Sequence, residues 1–229
     1  SVLSAMSGDK LAALTSTQAS GLTSSQVLAL TATDIAALST TQLRNLTSTA
    51  VAGLEAEDIT ALSTTKLQVM VTAQIAALST TTVQNLTSAE VDKLTATQFA
   101  SLTAIQIGAL STTQMASFPA TTLNGFSTTQ ISGLVATQLQ AISTTAFGAL
   151  QTTAVAALSS TAVQGLTAEQ AGVLTSSQFN ALTPTRIGAL SATSVAALSL
   201  ANLAQLTTTQ LSSASLTSTW ASGLTTDQL

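Results

Sequence analysis

The chain has 229 residues, only 6% of them charged, a net charge of −4, and no Cys or His. Disulfides, thiolate or imidazole metal ligands and the commonest general base are thereby excluded. Its cations, Lys10, Arg44, Lys66, Lys93 and Arg186, are scattered, so no basic patch exists to neutralise a phosphate backbone and nucleic acid is excluded as a partner.

Ser1 to Met6 form a partial leading repeat with neither the basic region nor the apolar stretch of a signal peptide. From Ser7 to Ala214 an eight-residue unit, Ser/Thr-Thr-x-Gln-apolar-x-small-Leu, repeats 26 times without a break. A fixed short period overrides the usual relation between length and domain number, so 7–214 is expected to be one array without an internal boundary. Position five is apolar in all 26 octapeptides, and position eight is Leu in 21, with Met70, Phe118, Phe126, Ile142 and Ala214 as exceptions. Ser, Thr and Gln interrupt every apolar run well short of the ~18 residues a membrane span needs, so membrane insertion is not expected.

Position one is Ser or Thr in 21 octapeptides and position four is Gln in 12, including Gln18, Gln26, Gln42, Gln74 and Gln98. Ser/Thr followed three residues later by Gln is the capping box, in which each side chain satisfies a backbone N–H left open at a helix start. The Leu before the cap and the apolar residue at position five then form a hydrophobic staple, as in Leu38, Ser39, Gln42 and Leu43. Pro119 at position one and Pro184 at position two fall where a helix tolerates a missing N–H. Every Gly except Gly8 lies at position six or seven, counting Gly223 in the shifted last octapeptide, where it can end a helix or admit a close neighbour.

The pattern therefore predicts an all-α solenoid of about 26 very short capped helices. One continuous helix is disfavoured, because its apolar stripe would drift by about 80° per octapeptide. A β-solenoid would place positions five and eight on opposite faces of a strand. Two large buried side chains stabilise an octapeptide by about 3 to 6 kcal/mol, whereas ordering eight residues costs about 12. Each octapeptide must consequently lean on others.

A longer period overlies the first. The small pairs Ala36-Ala37, Ala76-Ala77, Ala116-Ser117, Ala156-Ala157 and Ala196-Ala197 recur every 40 residues. Two readings stay open: about five helices per superhelical turn, with residue i near i+40, or duplication of a 40-residue segment without geometric meaning. The frame breaks at 215–229, where Ser215 and Leu216 shift the register by two and Trp220 takes the place of the capping Gln. Leu216 and Trp220 are candidates for an assembly or end contact, beside a simple local repacking around the insertion.

No catalytic, cofactor-binding or metal-binding constellation is visible, so the chain reads as a non-enzyme with no cofactor and no small-molecule substrate. Glu55, Glu57 and Asp58 could offer oxygens to Ca²⁺, but carboxylates in a first helical turn are favoured by the helix dipole without an ion. Recurrent Ser-Thr-Thr, as at Ser39, Ser63 and Ser79, offers either an ordered hydroxyl face or merely an exposed first turn.

The texture seen in Thr31 to Leu38 and Ser79 to Leu86 resembles the octapeptide arrays of very large secreted or surface-exposed proteobacterial proteins, often adhesin-like. The resemblance covers essentially the whole chain and implies an extracellular or cell-surface spacer. A structural module is therefore the leading expectation, either a rigid spacer or a self-assembling, filament-forming segment whose partner is itself, end to end or side by side. The alternative is a binding module for a peptide, a glycan or ice, with Arg44, Gln68, Gln84, Gln140, Gln164 and Asn180 at positions six and seven as the variable groove residues.

Overall fold

A computed structural model of the chain describes residues 11–208, 210 and 218–228, and no strand occurs among them. Each of the 24 octapeptides from Thr15 to Leu206 carries one helix of four to six residues. The helix starts after position one, whose backbone is extended, as in Thr15 at φ −67° and ψ 158°. Its side chain then accepts the N–H of position four, as Ser39 does from Gln42 at 3.2 Å. The helix stops within six residues. The N–H of position eight turns back to the carbonyl of position five, as from Leu38 to Ile35 at 3.2 Å, and the backbone of Leu38 leaves at ψ 135°. Positions eight and one together thus break each helix and restart the next.

Helices this short have no stability of their own in water. They gain it by burying position five, where Ile35, Leu43, Ile75 and Val195 are all fully enclosed, and position eight, where Leu38 and Leu158 are likewise. The chain divides into two compact units, Ser1–Ser111 and Thr112–Leu229. In the first, the helix Ala32–Ala37 packs on Ala56–Ala61 and Ser16–Ser20 on Thr40–Asn45, three octapeptides apart. In the second, Ala168–Gly172 packs on Ala192–Ala196 and Ala136–Ala141 on Ser160–Gln164 with the same spacing. Side-chain hydrogen bonds reach one octapeptide further, joining residues 28 and 31 apart.

A turn therefore takes between three and four octapeptides in each compact unit, which corrects the expectation of about five and of proximity between i and i+40. Of the two readings of the 40-residue period, the geometric one fails, leaving duplication of a segment. What small residues at position seven respond to is the helix three places earlier. A Cβ on Gly165 would lie 2.5 Å from that of Ala136, and one on Gly53 would overlap the Ser24 carbonyl oxygen. Gly125 meets only carbonyls of its own octapeptide, so its smallness serves no such approach.

Candidate functional site

Position four is where the array is held together. Oε1 of Gln74 accepts the N–H of Val71 at 2.8 Å, closing the start of its own helix. Its Nε2 donates to the carbonyl of Leu46 at 2.7 Å and to that of Leu43 at 2.8 Å, four octapeptides back. Gln42 does the same to Leu14 at 2.7 Å and Leu11 at 3.0 Å. In the second compact unit Gln170 reaches Ile142 and Leu139, at 2.8 and 2.7 Å. The position-eight carbonyl is one of the acceptors that a helix end leaves open. One amide thus caps the beginning of one helix and the end of another, a turn away.

These amides are buried: Gln74 is 1% exposed and Gln170 1%. A buried amide must have its hydrogen bonds met, and here both halves are used. A cap is worth ~1 kcal/mol and each neutral hydrogen bond a further ~1 net. The clasp thus contributes about 2 to 3 kcal/mol, enough to decide whether so short a helix stands.

Where Gln is replaced, several substitutes keep a donor. Thr82 donates its hydroxyl to Leu54 at 2.8 Å, Ser194 to Leu166 at 2.7 Å, and Asn202 its amide to Leu174 at 2.8 Å, each 28 residues back. The Lys66 ammonium reaches the Ala36 carbonyl. Glu90 has no proton to give when ionised, yet it is only 4% exposed. Burial alone would push its carboxyl up. Hydrogen bonds from Thr60 and from the N–H and hydroxyl of Thr87, with the charge of Lys93, outweigh this and hold it below the usual value of 4.5. Thr60, at position six of the octapeptide four places back, is the inter-turn partner of Glu90, its one hydroxyl proton shared with the Ala56 carbonyl at 2.9 Å. Asp58 has no such help. It is 5% exposed; burial, and then Glu55 and Glu57, raise its carboxyl above 3.8 against the pull of the Glu55 N–H.

The acidic cluster read from the sequence does not converge, because Asp58 turns inward while Glu55 and Glu57 are exposed. Among the described residues no group of three or more such side chains is placed to hold a metal ion. Of the groove candidates, Gln68 donates to the Lys93 carbonyl at 3.1 Å and Asn180 to Gln205 at 3.4 Å, both 25 residues ahead, so these two tie turns together. Arg44, Gln84, Gln140 and Gln164 are exposed. Trp220 is buried, at 4% exposure, in the core position its capping counterparts occupy; Leu216 lies outside the described residues. Position three is exposed in every described octapeptide, which makes it the outer face of each helix.

Sequence reasoning found the cap but missed the second function of Gln. A signal for it existed. Glu closes a capping box as well as Gln does, yet position four holds Gln 12 times and Glu once. Only the amide brings a donor as well as an acceptor, and a bias of that size asks for something to donate to.

Among families, the ALTTAQ repeat matches residues 32–64, 51–88 and 147–184. The chain is a repeat protein, and these segments carry the same octapeptide frame as the remainder. Compared with curated proteins, the chain finds no significant match. Compared with solved structures, it again finds none. No helix among the described residues is long and apolar enough to cross a membrane.

Proposed function

We propose that the chain is a non-enzymatic structural module, a rigid spacer or self-assembling segment of a larger extracellular protein. The observation that carries this reading is the position-four clasp: most of the buried polar side chains donate to other turns of the same chain. A protein without Cys or His, and with hydroxyl groups unaccompanied by a base, has poor means for catalysis. The compositional likeness to surface-exposed octapeptide arrays supports the extracellular setting. Self-assembly is supported by the general behaviour of repeat arrays, in which each repeat is stabilised by stacking on an equivalent neighbour.

Small-angle scattering on the chain and on variants lengthened by whole octapeptides tests the spacer. The largest dimension should rise in proportion to the added octapeptides, and an unchanged dimension would sink the reading. Sedimentation across a wide concentration range tests assembly, with a concentration-dependent series of oligomers expected. A single monomeric species at the highest concentration argues against assembly and leaves the spacer to be judged by scattering.

A further inference from the structure

An interior position four faces a main-chain carbonyl 28 residues back, and side chains as short as Thr82, Ser194 and Asn202 reach it at 2.7 to 2.8 Å. All three bring a proton. Asp58 stands at the same position, buried, and is isosteric with Asn202; counting 28 residues back from it in the same register gives the Leu30 carbonyl. One of its oxygens accepts the Glu55 N–H at 2.8 Å. An ionised carboxylate can only accept, whereas a protonated one carries an O–H.

We propose that Asp58 is a proton-dependent clasp. Protonated, it donates to the Leu30 carbonyl and holds octapeptide 55–62 on octapeptide 23–30; ionised, it sets negative charge against that oxygen and the joint loosens.

The surroundings favour such behaviour. On its own helix Asp58 has Glu55 and Glu57 for neighbours, and the helix Ala32–Ala37 packed against it brings Asp34, itself tied to the Thr31 hydroxyl at 2.7 Å. The helix Thr80–Asn85 on its other side carries no titratable group. The octapeptide 87–94 adds Glu90, with Lys93 as its nearby cation. Along the joint runs a groove of about 430 Å³ lined by Ser24, Leu28, Gly53, Glu55, Glu57 and Asn85, which brings solvent to its edge. Burial raises the Asp58 carboxyl above 3.8. Its stabilisation is then complete below that value and lost as pH rises through the folded-state value. Glu90, held low, has the opposite sign. This clasp is independent of the spacer reading: it concerns the stability of one joint, whatever the array is for.

Hydrogen exchange of the full chain at pH 4 and pH 8, corrected for intrinsic rates, tests the clasp on the peptide covering 55–62. Asp58→Asn keeps the length and adds a permanent donor. The gap between wild type and variant should be small at pH 4 and widen by pH 8, where the wild type should fall about fivefold below the variant, the loss of one net hydrogen bond. Asp34→Asn, the same chemical change at the cap of the neighbouring helix, should alter 55–62 less than Asp58→Asn does. Equal protection of wild type and Asp58→Asn at pH 8, or an effect of Asp34→Asn as large, overturns the proposal. Should Asp58→Asn fail to fold, carboxyl NMR of the wild type decides: an Asp58 midpoint at or below 3.8 overturns it, and one clearly above supports it.

Discussion

Thr23–Gln26 and Val71–Gln74 present one capping device in two settings. In both, Gln Oε1 accepts the N–H of position one at 2.8 Å. Gln26 is half-buried and Gln18, one octapeptide earlier, is exposed, and neither amide reaches a carbonyl of another turn among the described residues. Gln74 is enclosed and bonded to Leu43 and Leu46. The same residue at the same place in the motif thus has one function in the first described turn and two in the next. Its worth is set by what stands four octapeptides away, a property no local window contains.

The sharpest way to break this comparison is Gln→Glu, which keeps the cap and removes the donor. Gln74→Glu should cost about 4 kcal/mol at neutral pH, because a carboxylate is buried against two carbonyl oxygens. The loss, read by denaturation and by exchange of the octapeptide 71–78, should shrink as acid protonates the new side chain. Gln26→Glu, with the same atoms in the first turn, should fall within about 0.5 kcal/mol of wild type, since a carboxylate suits a helix start. Equal costs at the two sites would refute the clasp.

Gln74→Ala comes next, at about 3 kcal/mol for the cap and both inter-turn bonds, against about 1 for Gln18→Ala. Gly53→Ala should cost about 2 kcal/mol through overpacking on Ser24. Gly21→Ala, where φ is −84° and an added Cβ meets nothing closer than 3.4 Å, should be stabilising by about 0.5 kcal/mol. The smallest effect expected is Glu90→Gln. Since the folded carboxyl is held below 4.5, its contribution is present above that value and is lost as pH falls through the folded value. The variant should therefore match wild type at neutral pH and exceed it modestly near pH 3, as a melting series would show.

The helices were legible because their signals are local. Thr15, Ser39 and Thr175 cap the residues the sequence assigned to them, and positions five and eight form the core. The size of a turn was not legible. It depends on how closely Gly53 can approach Ser24 and on where a Gln side chain of fixed length finds a carbonyl, neither of which leaves a periodic mark. The 40-residue recurrence of Ala36-Ala37 left a strong mark without geometric meaning, and it drew the expectation toward five helices per turn. Asp58 was visible as a carboxylate in a first helical turn, but its burial was not, since Glu57, one residue before it, is exposed.

Gln228 donates to Leu198 at 2.8 Å across 30 residues and to Val195 across 33, each two more than elsewhere, so the clasp re-forms after the two-residue insertion. Partner identity is therefore counted in whole octapeptides rather than in residues, and a stray insertion leaves the pairing beyond it unchanged. Recombination between near-identical copies can then lengthen or shorten the array in steps of eight, with every surviving amide finding an equivalent carbonyl. Length becomes a freely heritable variable in such a protein, separable from its folding.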